Sequence, residues 1–213
     1  LDPLVRSLDM ARVNLLIADD VGLGKTIEAG LVIQELLIRH RARTIFIICP
    51  AGLQQKWEDE MREKFGLEFK RVDTEYIKNL RRAQGLNANP WTSYPRLITS
   101  MDWIKSGEGY RLLKDVLYDQ PTYPRKFDVL LIDEAHNVSP AASALYSIPS
   151  QRTRLVEWLS PHFTHHLFLT ATPHNGYQES FSSLLDLLDN QRFAKSVPPD
   201  KEQLKQIMIR RMK

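Results

Sequence analysis

The chain has 213 residues, of which 43% are hydrophobic, and a formal net charge of +3 at pH 7. This length fits one large domain or two small ones, and the hydrophobic fraction is ordinary for a globular protein. The sequence pI of about 9.0 is compatible with a nucleic-acid partner but is too mild to indicate one. Cys49 is the only cysteine, which excludes a disulfide framework and a cysteine-rich zinc site and favours a reducing cytoplasm.

The sequence carries no targeting or membrane signal. No apolar run reaches the length of a membrane-spanning helix, and the first residues lack the charged and apolar regions of a signal peptide. We therefore expect a cytoplasmic protein with no membrane partner. The chain starts at Leu1 without a methionine, and we expect it to be a piece of a longer protein.

Strand and helix patterns alternate along the chain, which is typical of a parallel sheet with helices on both faces. Predicted strands cover residues 13–18, 44–49, 67–72, 96–99, 127–132 and 165–170. Predicted helices cover residues 26–39, 53–65, 110–118, 155–159, 181–188 and 201–211, the last of them basic and capped by Asp200. Polar residues 78–94 indicate an irregular connection, and residues 137–150 a loop with helical pieces. The sequence therefore predicts an α/β fold with a mostly parallel central sheet.

The stretch from Asp19 to Thr26 has the layout of a phosphate-binding loop, because it lies between a predicted strand and a predicted helix. Glycines let backbone N–H groups turn towards a phosphate, and the start of the helix adds positive potential. Lys25 can reach the β- and γ-phosphates, and the Thr26 hydroxyl can ligate Mg²⁺. Asp19 stands where the usual pattern has its first glycine, so an ordinary glycine-rich turn is the alternative. The predicted nucleotide-binding residues are Asp20, Gly22, Leu23, Gly24, Lys25 and Thr26.

A second motif follows the predicted strand at 127–132, where the chain reads Asp133, Glu134, Ala135, His136. Ligands of parallel sheets bind at the carboxyl ends of the strands, so we interpret the two carboxylates as catalytic rather than as a helix-capping pair. Asp133 is expected to ligate the metal ion together with Thr26. Glu134 is expected to orient the attacking water, which makes Lys25, Asp133 and Glu134 the predicted catalytic residues.

A third motif ends the predicted strand at 165–170 with Thr170, Ala171 and Thr172. Hydroxyl groups at this position can sense the state of hydrolysis through hydrogen bonds to the neighbouring strand end. The alternative is a strand end with ordinary polar caps.

In this order, the three motifs resemble the first RecA-like lobe of a superfamily 2 helicase of the SWI/SNF-type branch, in particular its bacterial, RapA-like members. Residues 49–57 with Glu60 resemble motif Ia, and residues 98–102 resemble motif Ib. Residues 176–193 resemble the leucine-rich helix that closes the lobe, and residues 209–213 the basic segment before the second lobe. Thr-Ala-Thr in place of the Thr-Gly-Thr common in eukaryotic relatives favours a bacterial relative.

The resemblance implies a three-layer αβα, RecA-like P-loop NTPase fold. Residues 1–197 would form the ATP-binding lobe, and residues 198–213 a basic helical segment leading to a second RecA-like lobe. It implies ATP and Mg²⁺ as cofactors, and a DNA-dependent ATPase that moves along or remodels duplex DNA. The glutamine motif that reads adenine and the arginine finger lie outside this sequence, so we expect the fragment alone to be weakly active.

The resemblance also assigns the remaining site residues. The residues expected to couple nucleotide state to the second lobe and the DNA track are His136, Thr170, Ala171 and Thr172. The residues expected to contact DNA phosphates, without regard to base sequence, are Pro50, Ala51, Gly52 and Leu53 in motif Ia and Thr99 and Ser100 in motif Ib.

Two other functions stay open at this point. One is a non-catalytic RecA-like module that binds protein partners, although the intact Lys25, Asp133 and Glu134 argue against it. The other is the motor lobe of a restriction or defence translocase. A metal site at His165 and His166 is disfavoured because neighbouring strand residues face opposite ways. Trp57 lies on a helical apolar stripe and is expected to pack in the core.

Overall fold

The computed structural model describes residues 1–20, 22–105, 107–139, 149–173 and 178–211. The strands are β1 (Asn14–Ile17), β2 (Ile45–Cys49), β3 (Lys70–Arg71), β4 (Arg96–Ser100), β5 (Phe127–Ile132), β6 (Phe163–Leu169) and β7 (Met208–Ile209). The helices are α1 (Asp2–Asp9), α2 (Lys25–Ile38), α3 (Gln54–Phe65), α4 (Thr74–Gln84), α5 (Pro90–Ser93), α6 (Met101–Ile104), α7 (Gly107–Lys114), α8 (Gln151–Leu159), α9 (Gln178–Leu188) and α10 (Lys201–Ile207).

Within those ranges the strands form one sheet in the order β3-β4-β2-β5-β6-β1-β7, and every pair is parallel. The central strands are largely buried on both faces and are mainly apolar, as is typical of parallel sheets. Side chains that alternate along the strands belong to two separate apolar clusters, one on each face of the sheet. One cluster includes α2 and α3, and the other includes α7, α8 and α9. This three-layer arrangement confirms the predicted α/β fold.

The irregular connection predicted at residues 78–94 is wrong, because most of this stretch belongs to helices α4 and α5. Helix α4 is capped by Asp73, whose carboxylate accepts the Tyr76 N–H at 2.8 Å, and it buries Ile77 and Leu80. Helix α5 is capped by Asn89 and starts at a proline, which suits a first helical position. A narrow apolar stripe is enough to fold a polar segment when a sheet lies beneath it.

A second correction concerns the helix predicted at residues 201–211. Asp200 caps α10 as predicted and accepts the Glu202 and Gln203 N–H groups at 3.1 and 2.9 Å. The helix stops at Ile207, however, and the next two residues form β7 beside β1. Pairing there buries Ile209 and lets the Ala18 N–H donate to the Ile209 carbonyl at 2.7 Å.

Smaller differences concern element ends. The strand predicted at 67–72 is reduced to β3, and the helix predicted at 110–118 is α7, which begins earlier and ends at Lys114. Residues 140–148, in the predicted loop, lie outside the described residues, as do residues 176 and 177 of the stretch likened to the closing helix. Across the described ranges, no helix combines the length and apolar character needed to cross a membrane.

His165 is held in its neutral form by the strands around it. The Val13 N–H donates to its Nδ1 at 2.9 Å, and only 2% of the residue is exposed. Protonation of Nδ1 would place two donors against each other. Burial lowers the pKa of His165 from 6.5 to about 4.

We expect His165 to make the free energy of unfolding depend on pH. The unfolded chain takes up this proton near pH 6.5 and the folded chain only near pH 4, so the contribution is complete above pH 6.5 and is lost as pH falls towards 4. The shift corresponds to about 3 kcal/mol. Urea unfolding at several pH values measures it, and His165→Gln should make this part of the profile less steep, with the remaining slope due to His166, whose pKa burial also lowers to about 4. His40→Asn, at an exposed histidine, should leave the profile unchanged. A measured pKa near 6.5 for His165 in the folded protein would contradict this explanation of the pH dependence.

Candidate nucleotide and catalytic site

The phosphate-binding loop joins the end of β1 to the start of α2. Gly22 and Gly24 both have φ of 85°, a left-handed conformation that glycine adopts without a Cβ penalty. Gly24 is the N-cap residue of α2, and a Cβ placed on it would have no neighbour within 4 Å. The loop therefore faces open space at the N-terminus of a 14-residue helix, where free N–H groups and the helix dipole favour an anion.

Lys25 points back over this loop. Its Nζ donates to the Asp19 carbonyl at 2.8 Å and lies 3.4 Å from the Asp20 carbonyl. The ammonium group is therefore held by neutral backbone oxygens, which are weaker partners than charged phosphate oxygens. This position suits a lysine that contacts the β- and γ-phosphates of a nucleotide.

Asp19, the departure from the usual loop pattern, anchors the loop to the far end of the chain. The Arg211 backbone N–H donates to Asp19 Oδ1 at 2.6 Å, and the Arg211 Nε to Oδ2 at 2.9 Å. The same guanidinium lies 2.6 Å from Glu28 Oε1 on α2. Burial raises the pKa of Glu28, and the charge of Arg211 opposes that rise. Two buried carboxylates thus share one arginine directly beneath the phosphate-binding loop.

Asp133 lies immediately after β5, with its carboxylate fixed by two donors. Oδ1 accepts the Glu134 N–H at 2.9 Å, and Oδ2 accepts the Trp57 Nε1–H at 2.9 Å. The Asp133 N–H donates to the Ile48 carbonyl at 2.8 Å, which ties this turn to the end of β2. Each carboxylate oxygen keeps lone pairs for a further ligand.

Glu134 adopts a backbone conformation that is unusual for a residue with a side chain. Its φ and ψ are 52° and 47°, in the left-handed region, which costs about 1 kcal/mol or more. This turn brings Glu134 Oε2 to 3.3 Å from His136 Nδ1. The same ring nitrogen lies 3.0 Å from Thr170 Oγ1, which in turn accepts the Thr172 N–H at 3.1 Å. The second and third motifs are therefore in direct contact, with Ala171 between the two threonines.

The sheet order places the first two motifs at one edge. Strand β6 lies between β5 and β1, with Ile132 paired to Phe168 and Ile17 paired to Leu169. The ends of β5 and β1 are thus two strand spacings apart, about 10 Å. Asp133 and the phosphate-binding loop flank this interval at the carboxyl edge, where ligands of open α/β sheets bind.

The residues at this edge fit a nucleotide with Mg²⁺. Mg²⁺ is usually held by one or two protein oxygens together with substrate phosphates and water. The Asp133 carboxylate supplies one such oxygen with its orientation already fixed. The Thr26 hydroxyl, in the first turn of α2, supplies another. The space beside Gly24 is open, since a Cβ placed there would have no neighbour within 4 Å.

The residues expected to contact DNA differ in their accessibility. Motif Ia forms a short 3₁₀ turn, Ala51–Leu53, on which Ala51 and Gly52 are exposed. Thr99 and Ser100 are buried instead. The Thr99 hydroxyl donates to the Val72 carbonyl at 3.3 Å, and Ser100 Oγ accepts the Trp103 N–H at 3.2 Å. Their hydroxyls are thus engaged within the protein, and contact of residues 50–53, 99 and 100 with DNA stays a prediction.

A cavity of about 250 Å³ is lined by the motif Ia turn and by the carboxylate residues that follow β5. Its lining includes Pro50, Ala51, Asp133 and Glu134. Arg152 stands at the same cavity and donates to the Asp102 carboxylate at 2.7 Å. The turn and the carboxylates therefore open onto shared space.

Sequence reasoning missed two contacts of this site. It placed Trp57 in the core, where the residue indeed lies, without its bond to Asp133. It treated Asp19 only as a departure from a pattern, without its partner Arg211. The one available signal was chemical, since an indole N–H or a carboxylate that is buried needs a partner.

Comparison with known proteins places the chain in a family. Residues 4–212 match the family model of the SNF2-related domain. The RNA polymerase-associated protein RapA of Actinobacillus pleuropneumoniae serotype 5b (strain L20) is 36% identical over 184 residues, which cover 84% of this chain and 18% of the relative. The protein of the same name from Pasteurella multocida (strain Pm70) is 36% identical over 183 residues, with 84% and 18% coverage. The chain thus spans less than a fifth of the length of these relatives.

Two solved structures share the fold. The Sulfolobus solfataricus SWI2/SNF2 ATPase core in complex with dsDNA superposes with a TM-score of 0.64 at 17% identity, covering 99% of this chain and 42% of that one. The Pyrococcus furiosus Hef helicase domain superposes with a TM-score of 0.65 at 15% identity, covering 99% and 37%. These likenesses confirm the predicted α/β fold with a parallel central sheet. The match to the family model over residues 4–212 and the 36% identity to the RapA relatives show that the chain belongs to the SNF2-related domain family.

Proposed function

We propose that this chain is the ATP-binding lobe of a DNA-dependent ATPase that moves along or remodels duplex DNA complexes. The observation that carries the proposal is the arrangement at one sheet edge, where the phosphate-binding loop and the Asp133–Glu134 pair flank β6. Membership of the SNF2-related family supports ATP as the substrate. The names of two relatives, one associated with RNA polymerase and one solved with dsDNA, support work on DNA-bound complexes.

Each residue of the site has a distinct role in this proposal. The N–H groups of the loop and the Lys25 ammonium bind the nucleotide phosphates, with Asp20, Gly22, Leu23 and Gly24 shaping the loop. Thr26 and Asp133 would hold Mg²⁺, which when bound would supply charge neutralisation for the transferred phosphoryl group. Glu134 orients the attacking water and accepts its proton.

Contacts among the motifs provide a route from hydrolysis to movement. Glu134 contacts His136, which contacts Thr170, so loss of the γ-phosphate and its water can change this hydrogen-bond chain. We propose that Thr170, Ala171 and Thr172 pass the change to the DNA track and to a second RecA-like lobe. Residues 1–197 would form the lobe, and β7 of the segment 198–213 would complete its sheet. That segment would lead to the second lobe, and the bacterial cytoplasm would be the site of action.

The test is the ATPase rate of the full-length protein with and without duplex DNA. We expect stimulation by DNA that weakens as salt rises, because contacts to phosphates depend on counterion release. The isolated 213-residue chain should be much slower, since an arginine finger on a second lobe is worth about 10³-fold or more. A rate that does not respond to DNA would favour a non-catalytic module and contradict the proposal.

A further inference from the structure

Trp57 donates its buried indole N–H to a side chain of the candidate site, whereas buried Trp91 donates to a backbone carbonyl. It lies on α3, buried to 2% exposure among the apolar residues between α2, α3 and the sheet. Its Nε1–H donates to Asp133 Oδ2 at 2.9 Å, across 76 positions of sequence. The helix thereby reaches the carboxylate that the proposed function assigns to Mg²⁺.

This bond restricts how the Asp133 carboxylate can turn. Oδ1 is held by the Glu134 N–H and Oδ2 by the Trp57 indole, so donors on two different elements fix the plane of the group. Outer partners of this kind orient a metal-ligating side chain and are typically worth about 10- to 100-fold in metal affinity or activity. A carboxylate that lost the indole would be free to rotate.

The same helix begins at the motif Ia turn. Leu53 is both the last residue of the turn and the N-cap residue of α3, and its N–H donates to the Pro50 carbonyl at 2.9 Å. Trp57 follows one helical turn later. A shift of the turn at residues 50–53 therefore moves the indole, because a helix transmits displacement along its axis as a rigid element.

We propose that Trp57 is a positioning residue that fixes the Asp133 carboxylate for Mg²⁺ and links its orientation to the motif Ia turn. The proposal rests on the proposed function, which supplies the nucleotide and the metal. It adds a path by which a polyanion bound at residues 50–53 affects the metal site. That path runs through one side chain and one hydrogen bond.

The chain offers a matched control in Trp91. This tryptophan is buried to 1% exposure, and its Nε1–H donates to the Gly109 carbonyl at 3.1 Å, in the apolar cluster on the other face of the sheet. Trp57→Phe and Trp91→Phe each remove one buried indole N–H and keep an aromatic ring. Their unfolding midpoints show whether both variants fold.

The experiment measures binding of a fluorescent ADP to the full-length protein at increasing Mg²⁺ concentrations. In Trp57→Phe, the Mg²⁺ concentration that gives half of the metal-dependent increase in nucleotide affinity should be about 10-fold higher. The nucleotide affinity without metal should not change. Trp57→Phe should also lower the ratio of DNA-stimulated to basal ATPase rate. Trp91→Phe should alter neither quantity. Equal effects of the two variants, or an unchanged Mg²⁺ dependence in Trp57→Phe, would overturn the proposal.

A second measurement needs no substitution at Trp57. In protein labelled with 5-fluorotryptophan, one ¹⁹F signal should shift in Asp133→Asn, and we assign that signal to Trp57. It should respond to nucleotide with Mg²⁺ and to duplex DNA, and not to metal-free nucleotide. A signal that is indifferent to both ligands would overturn the proposal. If nucleotide still binds in a Lys25-dependent manner in that case, the proposed function stands and only the role of Trp57 fails.

Discussion

Lys25→Ala is expected to reduce ATP turnover of the full-length protein by about 100- to 1,000-fold or more. The ammonium group lies over the phosphate-binding loop, where it would neutralise charge that builds up on the phosphates in the transition state. Nucleotide affinity should fall as well, because the same contact exists in the ground state. Steady-state ATPase assays and titration with a fluorescent nucleotide measure the two effects.

The control for this variant is Lys70→Ala. Lys70 is an exposed lysine on β3, at the opposite edge of the sheet from β1. Loss of the Lys25 bond to the Asp19 carbonyl should cost only about 1 kcal/mol of unfolding free energy, so both variants should fold. Normal ATP turnover in folded Lys25→Ala would refute the assignment of the loop.

Glu134→Gln is expected to separate hydrolysis from binding. The amide keeps the size of the side chain but cannot accept the proton of the attacking water, so the rate of the chemical step should fall by about 10²- to 10⁴-fold. Binding of ATP with Mg²⁺ should persist, because the phosphate and metal contacts lie on Lys25, Thr26 and Asp133. Single-turnover hydrolysis and nucleotide binding, measured on one preparation, distinguish the two steps.

Glu63→Gln, at an exposed position of α3, provides the charge-matched control. Unchanged hydrolysis in Glu134→Gln would show that another group handles the water. Loss of nucleotide binding as complete as in Lys25→Ala would instead mean that Glu134 supports the loop. Either result would remove Glu134 from its catalytic role.

The sheet was predictable where a strand is buried on both faces. Residues 127–132 were predicted as a strand with the bounds that β5 has, because a strand of this kind is mainly apolar; Asp128 is the one charged residue in this stretch. Strand β7 was not predictable, since it holds two residues and exists only because the open edge of β1 lies beside it. Helix α4 was missed because few of its residues are buried, and its existence depends on the tertiary packing that buries Ile77 and Leu80.

The features of the candidate site also differ in whether the sequence could predict them. Lys25, Thr26, Asp133 and Glu134 stand in short motifs whose chemistry is local, so their positions at one edge follow once the strands are parallel. The bond from Trp57 spans 76 positions and the one from Asp19 to Arg211 spans 192. Contacts of that kind depend on how helices and chain ends pack on the sheet, which no local pattern encodes.

The most direct test of the central claim is a structure of the full-length protein with Mg²⁺ and a non-hydrolysable ATP analogue. We expect the β- and γ-phosphates at the N-terminus of α2 beside the Lys25 ammonium. The metal should lie between the Thr26 hydroxyl and the Asp133 carboxylate, with Glu134 facing the terminal phosphate. An analogue bound elsewhere, or a metal that does not reach Asp133, would contradict the account.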